Sequence, residues 1–561
     1  LERGLMSKLK RKQEIIEYLQ LSSSIPLPTN HSIEDIREIP SSDSQLEALK
    51  STKLPRIRRM PPLLRKDDYY DLLYERYPPL RNETPPQGLA DDDIRQNYHP
   101  IMRANRLSDF DLVTIGTASC SPGITRGVSC TALRLNWQRR YVPSTEGTSR
   151  MQPTTFLGGT WMFDVGECTQ LQVQRTNRIR AGKISKIFVT HAHGDHTFGL
   201  PGLLCLMGQD RDRDDPPLDI YGPEGLRLWL RMAIRYSVSR IVPSYRVHEI
   251  MSIPMAPEWR YSRQTNRFFY QGFQFNPGSS TESPIWKKHG LAGEDPESWI
   301  TQASRIHLEP SLKFGELDGG RNIYPQYNHP KSFGGAPVWE VEDEGDVKVY
   351  AAPMSHGVPC LGYVVEEQDR PGRLRSEFVE PIVLRNMDAL KDCGFKIPMR
   401  AMAVIKNLPE GSAFTFPDGT VVTQEDAVEP PRAGRKVVIC GDTADARALT
   451  NLAMNADVVV HEATNAYLDF LDKDSANLAS VMRDSASHGH STPQMAGEFA
   501  KAVNAQRLIL NHFSPRYKGD QAIDSISIMT QIEMQAIEAS GLNEEQVVSA
   551  WDFMLLPLPS K

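Results

Sequence analysis

Cysteine is scarce in this 561-residue chain: there are seven, an odd number, with no C-x-x-C pair among them. That argues against a disulfide framework or a cysteine-built zinc site and for a reducing compartment. Long hydrophobic runs are missing as well. No stretch approaches the ~18 apolar residues of a membrane-spanning helix, so no membrane partner is expected. Net positive charge is absent: 64 Lys and Arg against 70 Asp and Glu leave −6 at pH 7, so any surface for a polyanion must be local. Neither an internal repeat nor a low-complexity tract stands out. What remains, 40% hydrophobic and 24% charged residues, is the composition of a globular chain that can bury a sizeable core. The first residue is Leu1, not Met, so the reading allows for an upstream start and a targeting segment. An intracellular location is expected, an organelle (mitochondrion or plastid) or the nucleus being favoured and the cytoplasm left open.

Residues 1–105 differ from the rest. A basic helical stretch, "MSKLKRKQEIIEYLQL", gives way to sequence rich in Pro, Ser and charge, with 13 Lys/Arg against 8 Asp/Glu in residues 1–66. This segment reads as a solvated N-terminal extension or assembly arm, with an RNA-binding arm as the sharper alternative. From Phe110 a pattern of strand, glycine turn and strand begins, and alternating strands and helices take over: "KISKIFVT" before "FGLPGLLCLM", "PLDIYG" before "PEGLRLWLRMAIRYS", then "DVKVYAAPMSH", "RKVVICGDT", "ADVVVHEAT" and "RLILNHFS". Residues 106–561 therefore read as an α/β domain. Two segments break the rhythm. Residues 255–345 look like an insertion, and 366–436 hold helical pieces and a hairpin, "AFTFPDGTVVT", with Asp418-Gly419 at its turn.

Of the 14 histidines, eight lie in stretches that end or flank strands: His191, His193, His196, His356, His461, His488, His490 and His512. A lone histidine after a strand is usually structural. "HAHGDH" at 191–196 is different, because four costly polar groups beside an apolar strand are hard to satisfy without a metal. His191 and His193 are placed to face one ion, and Asp195 and His196 a second; imidazole and carboxylate suit Zn²⁺, other divalent ions remaining open. Two ions need more ligands. "PMSHGVPCLGY" offers His356, "VVICGDTAD" offers Asp442 and "LNHFSPRY" offers His512. Asp442 is the natural bridging carboxylate.

The order HxHxDH, SHxxxxxGY, GDT, HEAT, HST and HFSPRY, together with "IGTASCSPG", "FDVGECTQLQ" and "VVSAWDFMLLPLP", resembles ribonuclease Z (tRNase Z), the tRNA 3′-processing endonuclease of the metallo-β-lactamase superfamily. The resemblance runs from about Asp109 to Pro559. It implies an αβ/βα sandwich with an N-terminal extension and inserted segments. The site it implies has two Zn²⁺: His191, His193 and His356 on one, Asp195, His196 and His512 on the other, and Asp442 bridging. Asp164 orients a ligand histidine. Glu462 and His490 form an acid pair that protonates the leaving ribose O3′, Asp195 takes up the proton of the attacking water, and Arg516 offsets charge on the transition state. His461 and His488 are left as structural residues. Precursor tRNA is the implied substrate, gripped by the 366–436 arm, and a homodimer the implied assembly.

Three departures from the family pattern stand out: Cys168 where glycine is usual, Gly127 where asparagine is usual, and an arm that reads "FKIPMRAMAVIKNLPEG" where the family favours a Gly-Pro turn; eight Lys/Arg against eight Asp/Glu over 366–411 also leave that arm no net basic field. Competing readings are a phosphodiesterase of the same superfamily acting on small substrates, which leaves the HEAT/HST pair unexplained, and an RNA-binding subunit of a larger assembly. Protein partners are expected at the N-terminal extension and the 255–345 insertion.

Overall fold

Alternate residues of a strand point to opposite faces, and in this protein the apolar ones sort into three cores that define its layers. The computed structural model describes residues 73–81, 94–103, 108–135, 159–211, 215–254, 310–369, 372–469, 471–472 and 476–559, with the short strand pairs 141–142/152–153 and 259–262/267–270. All belong to the unit Leu73–Lys561. The basic opening stretch and most of the 255–345 insertion lie outside the described residues.

One sheet takes β1 (Phe110–Gly116), β2 (Cys130–Leu135), β3 (Gly159–Phe163), β4 (Ile184–Phe188), β5 (Leu218–Pro223), β6 (Tyr245–Ile250) and β7 (Asn322–Ile323). A second takes β8 (Trp339–Asp343), β9 (Val347–Met354), β10 (Cys360–Glu367), β11 (Lys436–Ile439), β12 (Val458–Glu462), β13 (Leu508–Asn511) and β14 (Val547–Ser549). The last strand, β15 (Leu555–Pro557), returns to the first sheet. The orders are β7-β6-β5-β4-β3-β2-β1-β15 and β8-β9-β10-β11-β12-β13-β14.

Between the sheets lies a shared core. Phe110, Leu112, Trp161, Phe163, Phe188 and Tyr221 of the first meet Val349, Leu361, Tyr363, Val365, Val437 and Val460 of the second. The intervening residues face outward. Val113, Ile115 and Ile187 are covered by α1 (Thr169–Gln174), α2 (Leu200–Asp210) and α3 (Leu226–Tyr236). Val364, Val438, Val459 and Leu508 are covered by α4 (Pro493–Ala502) and α5 (Ile523–Ser540). Helix, sheet, sheet, helix is the αβ/βα sandwich expected from the sequence. A row of stacked rings, Phe163 on Phe188 at 4.9 Å, Phe188 on Tyr221 at 4.9 Å and Tyr221 on His248 at 4.6 Å, runs across β3 to β6. Strands β3 to β6 are parallel to one another, and so are β11 to β14. Each set therefore delivers its carboxyl ends to one edge, where α/β folds place their chemistry.

Residues 374–428 have a core of their own, built on Val379, Val383, Ile405, Phe416 and Val422. Helices Ser376–Arg385 and Arg400–Lys406 and the hairpin Ala413–Thr415/Val421–Thr423 make it up, and Gly419 turns that hairpin at φ 85°. A two-stranded stalk joins this module to the sandwich: Arg375 N–H donates to Ala427 O at 2.7 Å and Glu429 N–H to Arg373 O at 2.8 Å. Gly372 lets the two chains approach, since a Cβ there would stand 1.6 Å from Glu429 O. At the stalk's base the buried Arg435 donates to Glu367 at 2.6 and 3.0 Å, to Asp109 at 2.7 Å and to Leu558 O at 2.8 Å.

The described residues before Ser108 also pack on the sandwich. Leu73, Tyr77, Ile94 and Ile101 are buried, and Arg76 donates to Glu533 on α5 at 2.9 Å with His99 alongside. Burial alone would raise the Glu533 carboxyl; His99 and Arg76 outweigh it and hold it near 2. Stability from this depressed carboxyl is fully present above the ordinary glutamate value and lost as the pH falls from ~4.5 toward 2. Glu533→Gln, which leaves the buried Arg76 only the exposed Glu544 at 3.9 Å as counter-charge, is expected to cost about 3 kcal/mol at neutral pH. In urea titrations across the acid range its stability should change less than the wild type's; an unchanged acid profile would show that Glu533 is not the group responsible.

Candidate metal centre

The metal-binding run begins where β4 stops. Asp164, one residue past β3, accepts Thr190 N–H at 2.7 Å and Thr190 Oγ1–H at 2.9 Å, so the two strand ends are clamped before His191. Tyr363 of the second sheet donates to Val189 O at 2.6 Å. His191 and His193 follow in extended chain, and the short helix Gly194–Thr197 turns Asp195 and His196 toward the same point. His356 follows β9, Asp442 follows β11, and Glu462 ends β12. His512 stands directly after β13, in the left-handed region at φ 56°, as Asp164 does at φ 61°. Such conformations are costly for residues with a Cβ and are sustained where the surroundings fix them.

The ligand atoms converge. His191 Nε2 is 3.1 Å from His193 Nδ1, His356 Nε2 is 3.3 Å from the same atom, and Asp442 Oδ2 is 3.8 Å from His191 Nε2. On the other side His196 Nε2 is 3.2 Å from His512 Nε2, His512 Nε2 is 3.4 Å from Asp195 Oδ2, and Asp442 Oδ1 is 3.4 Å from His196 Nε2. Four donors ~2 Å from one ion stand about 3.3 Å apart at the corners of a tetrahedron, so the spacing fits metal binding, with Asp442 reaching both groups of ligands.

Outer partners fix which nitrogen faces inward. Nδ1 of His196 meets Asp164 at 2.7 Å, that of His356 meets Gly489 O at 2.9 Å, that of His191 meets Thr190 Oγ1 at 3.0 Å and that of His512 meets Thr464 Oγ1 at 3.0 Å. Each threonine hydroxyl donates onward, Thr190 to Asp164 and Thr464 to Glu462, so each accepts the imidazole proton. Four Nε2 lone pairs are thereby aimed at the centre, as carboxylate-backed ligand histidines are. Lone pairs crowded this closely need a cation.

The electrostatics agree. Burial holds His191 well below the ordinary histidine value, with His196 adding to it, and burial also lowers His193 and His356; all three are thereby kept in the neutral, ligating form. Burial would lower His196 too, but Asp442 and Asp164 outweigh it and push it well above the ordinary histidine value. Positive charge is wanted at that spot, and a bound cation supplies it. Burial works to raise Asp442, while His512, His196 and His191 hold it well below the carboxylate range.

His490 lies beside this cluster rather than in its rings. Its Nδ1 is 3.1 Å from Glu462 Oε2 and 3.8 Å from Asp442 Oδ2. Asp442, His490 and His512 are also close enough to hold an ion, yet the nearer carboxylate commits the His490 nitrogen to Glu462. Glu462 is buried and accepts Thr443 N–H at 2.5 Å. Burial lowers His490, but Glu462 and then Asp442 raise it to about 9.

Arg516 is placed elsewhere: it donates to Asp472 at 2.8 Å and to Ala466 O, and it is not among the residues lining the cavity over the cluster. His461 packs in the core against Phe499, and His488 caps a helix at the surface. Sequence reading passed over Thr190, Thr464 and the Gly489 carbonyl, because threonine and backbone carry no motif. It also missed the Cys120 N–H, which donates to Asp195 Oδ2 at 2.6 Å from a residue at φ 66°. The two departures near the site have local accounts. A Cβ at Gly127 would stand 2.6 Å from Gln172 Nε2, and that side chain is held by Asp552 at 2.6 Å, so glycine goes with this glutamine. Cys168 occupies φ 65°, a conformation glycine adopts without strain.

Cys168→Gly is therefore expected to stabilise the fold, by up to about 1 kcal/mol; a lowered melting temperature would oppose this. Asp164→Ala frees His196 Nδ1 and should weaken metal binding about 10–100-fold. Calorimetric titration of zinc into metal-stripped protein reads that change, and an unaltered affinity would remove Asp164 from the account.

The sequence model of the metallo-beta-lactamase superfamily matches residues 154–204. Zinc phosphodiesterase ELAC protein 1 of Bos taurus is 32% identical over 461 residues, covering 81% of this chain and 99% of that protein. Ribonuclease Z of Lactiplantibacillus plantarum is 29% identical over 452 residues, covering 81% of this chain and 100% of that one. The crystal structure of human tRNase Z, short form, aligns at 24% identity and a TM-score of 0.42, covering 80% of this chain and 100% of that one. With identity of this extent running almost the whole length of these relatives, and with a metal-binding cluster built as described, the chain belongs to the ribonuclease Z family of the metallo-beta-lactamase superfamily.

Proposed function

We propose that this protein is a metal-dependent endoribonuclease that cuts precursor tRNA at the 3′ end of the acceptor stem, leaving a 3′-hydroxyl on the tRNA and a 5′-phosphate on the trailer. The observation that carries the reading is the buried Glu462 holding a charged His490 3.1 Å away, at the rim of the ligand cluster. A hydrolase that needed only a nucleophile would not require that proton.

In the finer form of the proposal two Zn²⁺ are held, one by His191, His193, His356 and Asp442, the other by Asp195, His196, His512 and Asp442. Such ions supply Lewis acidity at a phosphodiester and make water a better nucleophile at neutral pH. The chain's own residues do the rest. Asp195, fixed by the Cys120 N–H, offers a carboxylate oxygen to the proton of the attacking water. Glu462 occupies Nδ1 of His490, so Nε2 carries the proton that goes to the departing O3′. A positioned acid of this kind contributes ~10²–10⁴ in rate.

The module at 374–428, with its own core and stalk, is the candidate tRNA-holding arm. Its balanced charge leaves that grip to local contacts. The proposal extends to a homodimer in which one subunit's module serves the other's site, to protein partners at the N-terminal extension and the 255–345 insertion, and to an intracellular setting, organellar or nuclear, consistent with seven unpaired cysteines.

The test is cleavage of a 3′-extended precursor tRNA by purified protein, with bound metal quantified on the same sample. A single cut at the acceptor end with about two zinc per chain is expected. Two zinc without RNA cleavage would favour a small phosphodiester substrate, and neither zinc nor cleavage would overturn the reading. His490→Ala should keep its metal and lose ~10²–10⁴ in kcat. His490 keeps its proton below about 9, so activity should fall as the pH rises through that value. In Glu462→Gln the raising influence is gone, and the alkaline limb should move down toward the ordinary histidine range. A pH profile unmoved by Glu462→Gln would break the pairing.

A further inference from the structure

Phe198 is 61% exposed, although His196, Thr197 and Leu200 around it are buried. It closes the short helix that carries Asp195 and His196, its N–H donating to Gly194 O at 2.9 Å. The ring is seated on the metal-binding run: a Cβ at Gly194 would stand 2.4 Å from Phe198 Cε2 and 2.6 Å from Cδ2. Any larger residue at 194 would have to displace that ring, while its φ alone would not demand glycine, since it is absent from the left-handed residues.

The same ring lines the cavity of about 390 Å³ that opens over the ligand cluster, together with His193, Asp195, Asp442 and His490. Every other side chain lining that cavity is polar, ionisable or a cysteine, apart from Gly194 itself. A large apolar face left facing solvent is ordinary on a surface. Here it stands among ionisable groups, in the cavity that also reaches His490.

We propose that Phe198 is a stacking platform for the nucleobase adjoining the scissile phosphate, and so a specificity residue that favours a polynucleotide over a base-free phosphodiester. The proposal rests on the endoribonuclease reading. Every nucleobase has a π-face, so an aromatic shelf accepts any base identity while demanding that a base be present. Base–aromatic stacking is lost on alanine substitution at ~1–3 kcal/mol, or about 5- to 150-fold.

The test uses the full-length, metal-loaded protein and three RNAs: an intact 3′-extended precursor tRNA, the same RNA abasic at the nucleotide 5′ of the cut, and the same RNA abasic at the nucleotide 3′ of it. Phe198→Ala and Phe198→Leu should each lower kcat/KM on the intact RNA about 5- to 150-fold with zinc content and melting temperature kept. Phe198→Trp should hold most of the activity. On one of the two abasic RNAs the wild type should drop by a similar factor and the variants should drop no further, which identifies the stacked base. Wild-type rates in Phe198→Ala, an undiminished deficit on both abasic RNAs, or loss of zinc in Phe198→Ala and Phe198→Leu alike would overturn the proposal, the last making the ring a mere support for Asp195 and His196. Failure of the wild type to cut the intact RNA is a different outcome: it removes the endoribonuclease reading and this proposal with it.

Discussion

Mutual repulsion at the cluster is the constraint on which this architecture turns. Five imidazoles and two carboxylates aim lone pairs into one small volume, with nitrogens as close as 3.1 Å. Nothing in an apolar core tolerates that unless a cation is the common partner. The strands supply rigidity, and their carboxyl ends supply direction. The hydrogen bonds behind four of the five rings remove the last freedom, that of choosing a tautomer. Asp164 serves His196 directly and His191 through Thr190, while Glu462 serves His490 directly and His512 through Thr464. Two buried carboxylates thus govern four of the rings.

In the proposed mechanism this sharing couples metal binding to proton delivery. Glu462 holds the charge on His490 and, through Thr464, the orientation of His512. Changes at this carboxylate are therefore felt by both the ligand set and His490, so effects at these positions will not add.

The sandwich was legible because its strands are short, apolar and alternate with helices, and because "HAHGDH" concentrates groups that have no other means of being satisfied. His356, Asp442 and His512 were legible for a related reason: each directly follows an apolar run that becomes a strand. Thr190 and Thr464 were not, since a threonine beside a strand end is commonplace and its role depends on a partner far along the chain. Arg516 illustrates the converse. A lone arginine in a motif-like string looks available in sequence, and only the fold reveals that Asp472 and Ala466 already engage it. Phe198 was hidden by its neighbours, because "FGLPGLL" reads as one apolar run although its first member faces solvent.

The closing strand β15 pairs with β1, Leu112 opposite Leu556, and Arg435 binds both Asp109 and the Leu558 carbonyl. The first sheet is therefore completed by residues more than 440 positions apart in the chain. On a ribosome, β1 would wait with one edge unpaired until more than 440 further residues had been made, an exposed template for strand addition. The half-sheets can collapse early around their own cores, but joining the ends is a late, long-range step of the kind that slows folding. The ligand cluster draws on both sheets, so a nascent chain gains its cation site only near the end of that process, and the cell's demand for chaperoning and for metal then falls at the same moment.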